Sequence, residues 1–279
     1  MNLDKLKPKK RYLKPIVKVI SYSLLTAFIL VYFIIAFLNT SIVQSILAAK
    51  ASDYFSKEWN TEFRIGAVSI NIFDGVSLKD VYLEDRKGDT ILCADYVSAK
   101  ILKLPSSKGI KVSSVKVENT TFNLEVGEEG LNFGFIIDYF KSDKPKKKKP
   151  KSKQFVVEVN SLRLKDVNFS LKLRDKKDVY PQNMVAINNM RYRNISAEME
   201  DISVIKDSIN VVIEKFAAKE YSGLEVKNIS GKFTVSPRTI IAKNANLKTL
   251  NSDLYFDAKM NTATWKTYSK FIDSVYCEG

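Results

Sequence analysis

The sequence predicts a mainly β protein that is attached to a membrane by a single helix near its N-terminus. Two observations predict this fold class. Residues 19–38 form one long apolar segment without a charge, and after residue 63 the spacing of apolar residues changes from the period of a helix to the two-residue period of a strand. A short amphipathic helix is predicted between these two parts.

The apolar segment has the length of a membrane span. It runs for twenty uncharged residues, Val19 to Leu38, and a helix of that length is about 30 Å long, as a bilayer core requires. Residues 1–18 hold seven basic residues and one acidic residue, so the positive-inside rule places this end in the cytoplasm and exports the rest. A cleaved signal peptide is the alternative, but its apolar region is shorter, with a small-residue cleavage site close behind. The polar run from Asn39 to Ser41 favours a retained anchor.

Residues 39–60 predict the amphipathic helix. Apolar residues recur there at three- and four-residue spacing, as expected of one helix face: Ile42, Val43, Ile46, Leu47, Ala51, Tyr54, Phe55 and Trp59. This face either closes the end of a hydrophobic core or lies on the membrane surface.

The remainder alternates apolar with polar residues, which predicts antiparallel strands with one apolar face. A local pattern recurs in which two apolar residues, two apart, precede an Asn or Asp that can bend the chain. It occurs at Asn119, Asp166 and Asn228, and in shortened copies at Asp80 and Asn244. Because the copies are irregularly spaced, the pattern favours a long meandering sheet over a fixed-period solenoid.

The net charge of +14 is concentrated in two segments. Residues 1–18 carry +6 and the Lys/Pro-rich residues 141–153 carry +7, which leaves +1 for the remainder. A nucleic-acid-binding domain carries a basic face of its own, so no nucleic-acid partner is expected. We interpret residues 141–153 as a linker between a first β-unit, 61–140, and a second, 154–279.

No catalytic motif is present in the sequence. It has no histidine and no Gly-rich phosphate loop, and its two cysteines, Cys93 and Cys277, have no metal-binding or redox spacing. An exported compartment permits a disulfide between them, although each also fits as a small apolar residue in its own element. We expect no enzymatic activity within this chain and no cofactor.

The order of anchor, amphipathic helix and β-region, together with the stretches 63–85, 88–97 and 130–135, resembles the N-terminal portion of TamB/AsmA-like envelope proteins. The resemblance implies an elongated groove-like or taco-shaped sheet with an apolar interior. It also implies a single-pass inner-membrane protein with a cytoplasmic N-terminus and a periplasmic bulk. The implied function is outer-membrane biogenesis, by moving phospholipid between membranes or by assisting the assembly of outer-membrane proteins. The implied partners are the inner membrane, phospholipid in the groove and, through a distal region, an outer-membrane TamA/BamA-like barrel.

An apolar groove has a physical rationale, since exposing a lipid tail to water costs about 0.8 kcal/mol per CH₂ group. The side chains that we assign to it are Ile70, Ile72, Val117, Phe122, Leu124, Leu164, Phe169, Leu171, Val211, Phe233, Val235 and Phe256. The alternatives are a closed sandwich, which suits an anchored scaffold without lipid transfer, and an anchored enzyme whose catalytic part lies beyond Gly279.

The last residues predict a short amphipathic helix from Trp265 to Val275 with no closing strand after it. Because TamB-like proteins are much longer than 279 residues, we expect the chain to be an N-terminal fragment.

Overall fold

A computed structural model describes most of the chain. It covers residues 13–71, 75–106, 109–128, 130–142, 156–174, 186, 188–261 and 276–279. The predicted linker, apart from residues 141 and 142, and the predicted C-terminal helix lie outside the described residues, as does Ile72.

The described chain begins with two helices. Helix α1 runs from Leu13 to Leu38 and α2 from Ser41 to Trp59. Helix α1 therefore begins six residues before the predicted span, and its segment Val17–Leu38 is long and apolar enough to cross a membrane. Asn60 caps the C-terminus of α2 with a left-handed backbone (φ 52°), and its N–H bonds the Ser56 carbonyl.

Thirteen strands and a third helix follow among the described residues. Helix α3 is Gly134–Ser142. The strands are β1 Phe63–Arg64, β2 Ala67–Asn71, β3 Gly75–Glu84, β4 Thr90–Ser106, β5 Gly109–Gly127, β6 Gly130–Leu131, β7 Val156–Leu173, β8 Asn189–Ile205, β9 Ser208–Glu220, β10 Glu225–Val235, β11 Thr239–Thr249, β12 Asp253–Asn261 and β13 Tyr276–Glu278.

All of these strands belong to one open sheet, so the predicted mainly β fold with an unclosed sheet is confirmed. The order along the main path is β1-β3-β4-β5-β7-β8-β9-β10-β11-β12-β13, with β2 beside β3 and β6 beside β5. Every pair is antiparallel except β5 and β7, which run parallel. The strands on either side of the Lys/Pro-rich segment therefore join in the same sheet.

Three local expectations were wrong. The sequence indicated only strands in the first β-unit, yet α3 forms where Phe135, Ile136 and Tyr139 recur at helical spacing and pack against one cluster. No closing strand was expected near the C-terminus, but β13 pairs with β12. Asn228 was expected to bend its strand, but the left-handed residue of β10 is Gly231 (φ 132°).

The other predicted bends are confirmed, and they form a row across the sheet. Asp80, Asn119, Asp166 and Asn244 all have positive φ, between 46° and 53°, and Asn194 of β8 joins them. The pairing keeps its register at Asn119, because Val117 lies opposite Val97 and Thr120 opposite Ala94. Val117 and Phe122 are five residues apart, an odd spacing that would place them on opposite faces of an ordinary strand. Val97, which lies opposite Val117, nevertheless packs against the same cluster as Phe122. The left-handed residue between them therefore keeps the same face apolar along the strand.

The first edge of the sheet is capped by side chains of α2. The Ser56 hydroxyl donates to the Phe63 carbonyl at 2.9 Å and accepts the Phe63 N–H at 3.0 Å. The Ser52 hydroxyl accepts the Ile65 N–H at 2.9 Å. Unpaired backbone groups on an edge strand invite association with other chains, and at β1 the helix satisfies them.

Candidate functional site: one apolar face of the sheet

Strand pairing assigns the side chains to faces, because residues directly opposite each other project to the same side. Val97 lies opposite Val117, and Val117 lies opposite Leu164. Farther along, Val211 lies opposite Phe233, and Phe233 opposite Ala242. We call the side that carries these residues the apolar face. The other side is charged: Lys116 lies opposite Arg163, which lies opposite Glu198.

Helices cover the apolar face at one corner, which we call the covered corner. Its buried cluster consists of Trp59, Phe63, Val81, Leu83, Ile91 and Ala94, and residues of α2 and α3 pack against it. Trp59 is 7% exposed and Ile91 is 1% exposed. Trp59 contacts Phe55 of its own helix at 4.7 Å and Phe135 of α3 at 6.4 Å, measured between ring centroids. This corner is an ordinary protein core.

The apolar face from β7 to β12 has no such cover among the described residues, and we call it the uncovered face. Its buried cluster is Val167, Ile195 and Ala218, and every residue that packs against it comes from a strand. Several apolar side chains of this face are exposed: Ile209 of β9 is 41%, and Phe256 and Leu254 of β12 are 39% and 51% accessible. Apolar side chains that are exposed together on a sheet face outside a membrane are typical of a binding surface.

The structure brings most of the predicted groove residues together on the apolar face. Phe122 and Phe169 stack across β5 and β7 with centroids 6.2 Å apart, and Leu124 lies opposite Leu171. Phe122 also packs into the covered corner, so it does not belong to the uncovered face alone. Of the set, Phe256 is exposed and the other described members are half-buried.

Sequence reasoning missed the contribution of β8. Ile195 is 6% exposed, and Tyr192 packs against the same cluster. The alternation of Tyr192 with charged residues, followed by Ile195, Ala197 and Met199, was an available signal. The bend at Asn194 breaks that alternation and obscures it.

Two polar groups interrupt the uncovered face at one end. Tyr192 lies opposite Glu220, which is 4% exposed and accepts the Ser222 N–H. Burial, and secondarily the Glu220 carboxylate, raises the pKa of the Tyr192 phenol. This phenol therefore stays neutral at physiological pH.

A cluster of three carboxylates, Asp85, Asp89 and Glu125, lies at the strand ends beside the covered corner. The Arg174 guanidinium pairs with Asp89 at 3.1 Å and also with Glu125. The hydrogen bond to Glu125 is the main reason why the pKa of Arg174 is raised. Asp85 accepts the N–H groups of Lys87 and Asp89. The cluster is therefore an ion-pair network that joins β5 and β7 to the β3–β4 turn.

No protein-family model matches the chain, and no curated protein is significantly similar to it in sequence.

Proposed function

We propose that this chain is a membrane-anchored groove protein whose uncovered face shields the acyl chains of phospholipid outside the bilayer. The observation that carries the proposal is that the apolar side chains along β7 to β12 are largely half-buried, with Ile209, Leu254 and Phe256 exposed, and that no helix packs over them among the described residues. Because each CH₂ group removed from water contributes about 0.8 kcal/mol, a surface of this kind stabilises an extracted lipid tail.

We further propose that the groove starts at an inner membrane and serves outer-membrane biogenesis. The basic N-terminal residues support a cytoplasmic position for that end and, with it, a periplasmic position for the sheet. The apolar anchor and the apolar face are close in the chain and in space, since α1 contacts β2. The resemblance to TamB/AsmA-like proteins supports the same assignment.

Photo-crosslinking in intact cells tests this proposal. A crosslinking amino acid at Phe169 or Phe233 lies on the apolar face, whereas the neighbouring positions Asn168 and Lys232 project to the charged face. We expect phospholipid adducts at the first pair and none at the second. Equal yields at all four positions, or no lipid adduct at any, would contradict a lipid groove.

A second function, the binding of a partner protein, is favoured by the far edge of the sheet. Strand β13 pairs only with Lys259, Met260 and Asn261 of β12. Among the described strands, none pairs with the outer side of residues 253–256, which include the exposed Tyr255. Such an edge can add a strand from another chain, as a scaffold or an assembly factor for β-barrel proteins would require.

Proline at Tyr255 tests this second function, because it removes one backbone N–H from the edge. Loss of a co-purifying partner with unchanged lipid adducts at Phe233 would favour the interaction role. If the partner still co-purifies and the lipid adducts are unchanged, strand addition at this edge is contradicted.

A further inference from the structure

The junction between the anchor and the sheet contains one side chain whose hydrogen-bonding capacity is fully used. Asn39 directly follows the segment Val17–Leu38, which is long enough to span a membrane. Its carboxamide oxygen accepts the Ser69 hydroxyl at 2.8 Å and the Ile70 N–H at 3.2 Å. Its carboxamide nitrogen donates to the Ile35 carbonyl at 2.9 Å and to the Ile70 carbonyl at 2.5 Å.

This arrangement imitates a strand. An asparagine side chain has two donors and two acceptor positions, and here all four are occupied. Both backbone groups of Ile70 bind the same carboxamide, as they would bind the N–H and carbonyl of one residue in a neighbouring antiparallel strand. Strand β2 is paired on its other side with β3. Asn39 thus fills the place of a missing edge partner at Ile70.

Asn39 also ties β2 to the last turn of the anchor. The Ile35 carbonyl belongs to the final turn of α1 and accepts the Asn39 carboxamide N–H at 2.9 Å. The Asn39 backbone N–H bonds the same carbonyl at 3.1 Å. One residue therefore ends the anchor helix and holds the first part of the sheet at a fixed position against it.

We call the contact of Asn39 with β2 and the last turn of α1 the joint. The position of Ile70 relates this joint to the apolar face. Ile70 lies opposite Val76, and its neighbour Val68 lies opposite Leu78, which lies opposite Val97 of the apolar face. Val76 is 39% exposed. The apolar face therefore reaches the end of the anchor at the strand that Asn39 holds.

We propose that Asn39 is the positioning residue that fixes the sheet against the membrane anchor and thereby sets the path by which lipid reaches the apolar face. The first part concerns the joint itself, and the lipid path rests on the proposed function. Aspartate cannot replace this residue, because its carboxylate has no donors and would face the carbonyls of Ile35 and Ile70. Alanine removes the side-chain partner of both backbone groups of Ile70, while the Ile35 carbonyl keeps the backbone N–H of residue 39.

The joint is tested by the distance between two spin labels in the full chain in lipid nanodiscs, one at Val31 of α1 and one at Lys79 of β3. Cys93 and Cys277 are replaced by serine in all samples. The chain without further changes should give one narrow distance distribution, and Asn39→Asp and Asn39→Ala should each broaden it. Loss of one net hydrogen bond of about 1.4 kcal/mol raises the population of detached arrangements about tenfold.

Two further variants act as controls. Ser69→Ala removes one of the four bonds and should broaden the distribution less than either change at Asn39. Ser45→Ala should leave it unchanged, since the Ser45 hydroxyl donates to the Ser41 carbonyl within α2. The circular dichroism of the sheet reports whether each variant is folded. A folded Asn39→Asp chain with an unchanged distance distribution would contradict the claim that Asn39 fixes the sheet against the anchor.

The lipid path is tested by a photo-crosslinker at Val76, with one at Phe233 as reference. Asn39→Asp should lower the yield of lipid adducts severalfold at both positions, while Ser45→Ala leaves it unchanged. Unchanged adduct yields together with a broadened distance distribution would contradict the proposed lipid path. They would still support the role of Asn39 in holding the sheet against the anchor. Absence of adducts at both positions before any change at Asn39 would refute the proposed function, and the spin-label distances would still decide the joint.

Discussion

The covered corner and the uncovered face carry the same strand pattern and differ in what lies on them. In both, apolar residues alternate with polar ones and a left-handed Asn or Asp keeps the face constant. At the covered corner, α2 and α3 complete a core in which Ile91 is 1% exposed. On the uncovered face, Ile209 keeps 41% of its surface accessible. The difference teaches that strand alternation builds an apolar surface, and that its cover decides whether the surface is a core or a site.

The largest expected difference between the two regions concerns stability. Trp59→Ala should lower the free energy of unfolding by about 3–5 kcal/mol, because it empties a packed aromatic cluster. Phe233→Ala, on the uncovered face, should cost about 1 kcal/mol, because its side chain is only half-buried. Urea unfolding of the full chain in detergent, followed by circular dichroism, measures both. Equal losses would mean that the uncovered face is a packed core as well.

The capped edge should contribute less than the aromatic cluster. Ser56→Ala leaves the N–H and the carbonyl of Phe63 without their side-chain partner, and an unsatisfied buried group costs about 1–3 kcal/mol. Ser45→Ala, an exposed change on the same helix, should stay within about 0.5 kcal/mol. The same unfolding measurement compares them, and a loss shared by both variants would indicate an effect on the helix rather than on the edge.

The row of left-handed residues should behave alike in the two regions. Asn119→Val and Asp166→Val should each cost about 1–2 kcal/mol, since a β-branched residue resists positive φ. Glycine at either position should be tolerated, because it adopts positive φ readily. Thr121→Val, at an ordinary strand position of β5, is the control. A valine that is tolerated at Asn119 would contradict the role of the left-handed residue in keeping one face apolar.

The smallest expected effect is on the pH dependence of the uncovered part. The Lys227 ammonium donates to Glu225 at 2.5 Å and lowers the pKa of that carboxyl, with Lys219 adding to the effect. A lowered folded-state pKa gives stability that is present above the unfolded-state pKa and is lost as pH falls through the folded value. The Glu225→Gln chain should therefore lose slightly less stability on acidification. A larger loss on acidification than in the unchanged chain would contradict this sign.

The architecture was largely predictable because its signals are local. Twenty uncharged residues define a span, and alternation such as Leu254, Phe256, Ala258 and Met260 defines a strand. The bends at Asn119 and Asp166 were predictable for the same reason, since Asn and Asp tolerate left-handed backbone. Strand β8 was not predicted because the bend at Asn194 interrupts its alternation of apolar and polar residues.

The division into covered and uncovered parts was not predictable from local pattern. Phe122 and Phe233 look alike in the sequence, yet within the described part of the chain helices pack near Phe122 and not near Phe233. The parallel pairing of β5 with β7 and the hydrogen bonds of Asn39 to Ile70 both join residues far apart in the chain. Tertiary packing decides such contacts.

The most direct measurement of the central claim compares lipid access at the two regions within one face. A photo-crosslinker at Val81, which belongs to the buried cluster of the covered corner, is compared with one at Val211 on the uncovered face, in the full anchored chain in cells. Lipid adducts at Val211 and none at Val81 are the predicted result. Adducts at Val81 equal to those at Val211, or none at Val211, would contradict the account.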